Sequence, residues 1–84
     1  MLDNAKISEQ LREVFKTVLE EPNFEYIPTA SMGSLESWDS FAQINLIIEI
    51  ESTFDIEFDS EEIGTLLTVE AIEGAVRLKL NEFK

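Results

Sequence analysis

The stretch DSFAQINLIIEIESTFDIEF, residues 39–58, decides the fold. Asp39 is a favourable N-cap, and the apolar residues after it predict a helix from about Ser40 to Phe54. At about 100° per residue, one compact arc of this helix faces the core: Leu46, Ile47, Ile50 and Phe54. The flank of the arc is also apolar: Phe41, Ile44 and Ile48. In a small domain this flank is either covered by neighbouring helices or left as an exposed strip that meets partners.

Two further helices are predicted on either side of this stretch. A helical stripe in the N-terminal segment comprises Ile7, Leu11, Val14, Phe15, Val18 and Leu19. Asp3 or Asn4 can cap its start, and Pro22 marks its end. A last helix, capped by Thr68, carries the apolar residues Val69, Ile72, Val76, Leu80 and Phe83.

The connections differ in length. Residues 21–38 form a long loop, under which Ile27, Met32 and Leu35 are expected to pack, and loops of this length are often functional. Residues 55–60 form a short linker with Ile56 and Phe58 inward, followed by a short helix within residues 61–66. The predicted fold is all-α: a small four-helix bundle of three main helices and one short helix, in a single domain spanning residues 1–84.

The charge is strongly one-sided. The chain has 18 acidic and 6 basic residues, no His, and a formal net charge of −12. No Lys or Arg occurs between Thr17 and Val76. This acidity argues against nucleic acid and anionic membrane surfaces as partners, and it favours basic protein surfaces. With no apolar run long enough for a membrane span, no signal peptide and no Cys, we expect a cytoplasmic protein, and we expect a monomer.

The sequence offers little for catalysis. His and Cys are absent, and the three glycines are scattered, so the chain lacks the commonest general base, thiolate metal sites and a phosphate-binding loop. The alternating acids from Asp55 to Glu61 resemble the start of a calcium loop, but Ser60 replaces the turn Gly and Leu66 replaces the bidentate Glu. We therefore predict neither an enzyme nor a specific metal site, although loose divalent-ion binding stays open.

Ser40 has the most distinctive position in the chain. It follows the N-cap Asp39 at the junction of the long loop and the central helix, where free backbone N–H groups and the helix dipole favour negative charge. A phosphodiester on its hydroxyl would be stabilised there. On its own, an Asp-Ser pair before a bulky apolar residue usually indicates only a helix cap.

The surrounding sequence resembles the acyl carrier protein family. The segments that carry the resemblance are Asp39-Ser40-Phe41, Glu51-Ser52-Thr53-Phe54, Asp55-Ile56-Glu57-Phe58, Ser60-Glu61-Glu62 and Leu67-Thr68-Val69-Glu70-Ala71-Ile72. They correspond to the family's Asp-Ser-Leu motif, with Phe41 in place of the usual Leu, and to its Glu-x-x-Phe helix end, acidic turn and Thr-Val start of the last helix. The match runs without a gap from about Ala30 to Val76.

The resemblance implies a cofactor and partners. Ser40 would carry 4′-phosphopantetheine, delivered from coenzyme A by a phosphopantetheinyl transferase, with Asp39 presenting the site. The arm's thiol would hold an acyl group as a thioester, and the bundle would shelter or present it to acyl-loading and acyl-accepting enzymes with basic or apolar docking surfaces. The predicted partner-binding residues are Trp38, Phe41, Ile44, Asn45, Ile48, Glu49 and Glu51.

The departures from the family pattern concern the docking face. Fatty-acid-synthesis carriers place acids where this chain has Ala42, Asn45 and Ser52. The Trp38-Asp39-Ser40-Phe41 motif is more typical of a discrete carrier in a specialised lipid, polyketide or polysaccharide-modification pathway. An aminoacyl carrier of the D-alanyl type, a non-carrier acidic adaptor and a divalent-ion-binding bundle remain alternatives.

Overall fold

A computed structural model describes residues 4–81 as an all-helical bundle, as the sequence predicts. The elements are α1 (Asn4–Leu19), α2 (Ser40–Phe54), the short α3 (Ser60–Ile63) and α4 (Val69–Asn81). Two isolated bridges are the β-type pairings within this range, and no helix in it combines the length and apolar character needed to cross a membrane. Asp3 and Phe83, predicted as a cap and an apolar position, lie outside the described residues.

The core forms where the predicted apolar stripes meet. The α1 stripe is buried except for the half-buried Val18, and the α2 arc is buried throughout. From α4, Val69, Ile72 and Val76 complete the same core. Because these side chains recur at helical spacing, burial against the neighbouring helices stabilises each helix more than its intrinsic propensity does.

The first loop contributes aromatic rings to the core. Phe15 of α1 stacks on Phe24, with ring centroids 5.2 Å apart, and meets Trp38 edge-on at 5.1 Å. Met32 and Leu35 are partly buried, as expected, but Ile27 is 46% exposed, so its predicted burial is wrong. A loop has no periodicity to fix which side chains face inward, and here aromatic rings hold the inner positions.

Backbone hydrogen bonds fasten this loop to the segment between α3 and α4. The Met32 N–H donates to the Leu67 carbonyl at 2.9 Å, and the Val69 N–H donates to the Ala30 carbonyl at 2.9 Å. The Glu70 N–H donates to the Pro28 carbonyl at 3.2 Å. These bonds hold the long loop against the start of α4, and the loop then continues to the start of α2.

A polar network joins α1, the loop and α4. The Glu73 carboxylate accepts hydrogen bonds from the Tyr26 hydroxyl at 2.6 Å and the Ser8 hydroxyl at 3.0 Å, and it pairs with Arg77. Burial alone would raise the pKa of Glu73, but these hydrogen bonds and the Arg77 charge hold it below its ordinary value. The pKa of Tyr26 is raised, mainly because its hydroxyl is buried and, to a smaller extent, because it donates a hydrogen bond to Glu73.

Candidate functional site

Ser40 is the first residue of α2 and is exposed. The chain enters the helix through Asp39 in an extended conformation, and the Asp39 carboxylate accepts the Ala42 N–H at 2.8 Å. The Gln43 N–H then donates to the Asp39 carbonyl at 2.9 Å. This confirms the predicted N-cap. Within residues 4–81 the Ser40 hydroxyl has no hydrogen-bond partner.

The residues on either side of Ser40 are anchored in the core. Gln43 is only 7% exposed; its amide oxygen accepts the Trp38 indole N–H at 2.7 Å, and its amide nitrogen donates to the Leu66 carbonyl at 2.7 Å. Sequence reasoning missed Gln43. The available signal was the position of this amide on the core-facing side of α2, one helical turn before Leu46 and Ile47.

Trp38 corrects one prediction. Its side chain is fully buried, so the prediction that Trp38 contacts partner proteins is wrong. The indole packs edge-on against Phe15, which buries its apolar ring, and its N–H donates to Gln43, so its polar atom has a partner. Trp38 therefore anchors the chain in the core two residues before Ser40.

The apolar flank of α2 is exposed. Phe41 is 75% exposed, Ile44 60% and Ile48 58%, at i, i+3 and i+7 spacing along one side of the helix. We call these three residues the α2 strip. The alternative that neighbouring helices cover the flank is wrong. The strip begins directly after Ser40, and the predicted polar positions Asn45 and Glu49 are exposed on the same helix.

Two other α2 positions behave differently from expectation. Glu51 is half-buried, and its carboxylate accepts the Phe58 N–H at 2.9 Å, so it holds the α2–α3 linker, and its part at the docking margin stays a prediction. Ala42 is 8% exposed and faces the core. The lower acidic charge of the exposed face of α2, relative to fatty-acid-synthesis carriers, therefore depends on Asn45 and Ser52 alone.

The acidic linker has a structural role. Asp55 ends α2 in the left-handed conformation, and Asp59 caps α3 in a capping box with Glu62. Ile56 and Phe58 alternate with these acids and are buried. Lys79 pairs with Glu62; its hydrogen bond, then that from the Asp59 N–H, lowers the pKa of Glu62. Among residues 4–81, no group of three or more acidic side chains is close enough to hold a metal ion.

No family model matches the chain. Its fold is similar to the solution NMR structure of a holo acyl carrier protein from Geobacter metallireducens, with a TM-score of 0.83 and 25% sequence identity. The superposition covers 89% of this chain and 86% of that chain. The likeness therefore extends over most of both chains. Together with the Asp39-Ser40-Phe41 motif at the start of α2, this likeness shows that the chain has the fold of an acyl carrier protein, and it supports the resemblance of its sequence to that family.

Proposed function

We propose that this protein carries an acyl group as a thioester on 4′-phosphopantetheine attached to Ser40, and that it presents the group to partner enzymes. The observation that carries the proposal is the placement of Ser40: an exposed hydroxyl at the first position of α2, directly after the Asp39 cap and directly before the α2 strip. The carrier class follows from the fold and the motif. The attachment residue and the partners are our inference.

The start of α2 suits a phosphodiester. The first N–H groups of a helix have no partner within the helix, and the dipole places partial positive charge there. The Asp39 carboxylate is already engaged by the Ala42 N–H, so it caps the helix without bonding Ser40. When bound, the arm supplies a thiol for thioester chemistry, and this fits a chain that has no Cys of its own. The protein's own residues hold the attachment point.

The α2 strip suits partners that dock mainly through apolar contact. Three large exposed side chains on one side of a helix give a continuous patch, whereas soluble monomers usually expose such side chains singly. The carboxylate of Glu51 is held by the linker, which leaves Glu49 as the exposed acid of α2. The net charge of −12 still favours basic surfaces at long range and speeds encounter, including that with the transferase.

The apolar α2 strip, combined with few exposed acids on the same helix, favours a carrier of a specialised pathway. A carrier recognised by charge needs acids on its docking helix, and this helix exposes Asn45 and Ser52 where they would lie. We therefore propose service in a specialised lipid, polyketide or polysaccharide-modification pathway, with the housekeeping fatty-acid carrier less favoured. The mass of the group found on the arm distinguishes an acyl carrier from an aminoacyl carrier.

Intact-protein mass spectrometry tests the proposal. The protein is incubated with coenzyme A and a promiscuous phosphopantetheinyl transferase, beside the variants Ser40→Ala and Ser52→Ala. Ser52 is the matched control, because it is also an exposed serine of α2. We expect one arm on the wild type and on Ser52→Ala, and none on Ser40→Ala. A folded wild type that gains no arm would contradict the carrier function and favour an adaptor.

A further inference from the structure

A buried polar bridge lies beneath Ser40. It consists of the Trp38 indole N–H, the Gln43 side-chain amide and the Leu66 carbonyl, joined by two hydrogen bonds of 2.7 Å. All three residues are buried, and Gln43 is the one buried polar residue within the described part of the chain. A buried amide whose oxygen and nitrogen are both bonded fixes the two groups that it joins, because breaking either bond leaves an unsatisfied polar atom.

The bridge joins the start of α2 to two distant parts of the fold. Trp38 rests on Phe15 of α1, and Leu66 precedes Leu67, whose carbonyl accepts the Met32 N–H of the loop. Ser40 lies between the two bridge residues Trp38 and Gln43, so its backbone is anchored on both sides while its side chain stays exposed. Without such anchors the first turn of a helix is prone to fray.

We propose that Gln43 is a positioning residue for the attachment reaction at Ser40, an inference that rests on the proposed function. In that reaction the Ser40 oxygen bonds to the phosphorus that carries the pantetheine arm of coenzyme A. The pyrophosphate P–O bond breaks, adenosine 3′,5′-bisphosphate leaves, and the serine proton passes to a base of the transferase. The rate of such a displacement depends on how closely the nucleophile is held to the productive geometry.

Gln43→Met is the informative variant. Methionine has a similar length and volume to glutamine, so it keeps the packing while it removes both hydrogen bonds of the bridge. Gln10→Met is the matched control, because Gln10 is an exposed glutamine of α1, away from α2. Trp38→Phe is a second variant, which removes the indole N–H and keeps an aromatic ring beside Phe15.

Steady-state kinetics of arm transfer, measured on proteins shown to be folded by circular dichroism, separate positioning from docking. For Gln43→Met we expect kcat to fall about ten-fold while KM for the carrier changes less than about two-fold, because the α2 strip is intact. Gln10→Met should match the wild type. If Gln43→Met does not fold, the same split is expected of Trp38→Phe.

The single Trp of the chain supplies an independent readout. Its indole N–H gives one signal in a ¹⁵N–¹H NMR spectrum, and this signal should shift in Gln43→Met and stay in place in Gln10→Met. An unchanged kcat in folded Gln43→Met, or a rise in KM with kcat unchanged, would overturn the positioning role. Failure of the proposed function is distinct from either result, because the wild type itself would then accept no arm.

Discussion

Removing the Tyr26 hydroxyl should weaken the fold in a pH-dependent manner. Tyr26→Phe keeps the ring edge-on to Phe15, at a centroid distance of 5.9 Å, and removes one of the donors to Glu73. Hydrogen bonds to charged groups contribute about 1.5–3 kcal/mol. Because Glu73 keeps Ser8 and Arg77, we expect a loss of free energy of unfolding near the lower end, about 1.5 kcal/mol, which corresponds to a fall in Tm of about 6–12 °C.

The pH dependence follows from the direction of the shift. Since folding lowers the pKa of Glu73, its contribution to stability is present above the ordinary value of 4.5 and is lost as the pH falls through the folded value. Tyr26→Phe removes one cause of the shift, so the pKa of Glu73 should rise toward 4.5 in a ¹³C NMR titration. The stability difference between wild type and variant should therefore shrink below pH 4.5, as the pH falls through the folded pKa values of Glu73 in the two proteins.

Urea denaturation at several pH values measures this difference. Ser34→Ala is the control, because its hydroxyl donates to an uncharged acceptor, the Ser31 carbonyl, at 2.7 Å in an exposed turn. Its effect should be smaller and independent of pH. A Tyr26→Phe variant as stable as the wild type at neutral pH, or an effect that does not change with pH, would refute the role given to the network.

Three other outcomes are expected. Asp39→Ala removes the cap of α2 and should lower the free energy of unfolding by about 1 kcal/mol in urea denaturation, whereas an unchanged stability would mean that the cap is dispensable. Phe41→Ala or Ile48→Ala should change stability by less than about 0.5 kcal/mol but weaken partner binding more than Asn45→Asp does, and equal effects in titration calorimetry would contradict an apolar-led interface. Added salt or magnesium should raise Tm by about 4–8 °C for each 1 kcal/mol of self-repulsion that it screens, and a Tm that does not respond would contradict the idea that crowded acids strain the fold.

The helices and Ser40 could be read from the sequence because their signals are local. Asp39 followed by apolar residues at helical spacing predicts α2 with its observed bounds, and Thr68 caps α4, its hydroxyl accepting the Ala71 N–H at 3.0 Å. Each of these features depends on residues within a few positions of one another. The apolar character of the α2 strip can also be read from the helical wheel, but its exposure cannot, because the sequence leaves open whether neighbouring helices cover it.

The contacts beneath the site could not be read in this way. Gln43 is satisfied by Leu66, 23 positions away, and Glu73 by Ser8, 65 positions away. Trp38 lies in a loop, where no periodicity separates an inward from an outward side chain, so the sequence alone does not distinguish a buried aromatic residue at this position from a docking residue. These errors share one cause: long-range packing decides which polar and aromatic groups of a small core find partners.

The most direct test of the carrier function is peptide-level mass spectrometry of this protein isolated from the cells that make it. We predict that a 4′-phosphopantetheine arm, free or carrying an acyl group, is found on the peptide that contains Ser40, and that fragmentation assigns it to the Ser40 oxygen. Folded protein with Ser40 unmodified throughout, or with the arm on any other residue, would contradict the account.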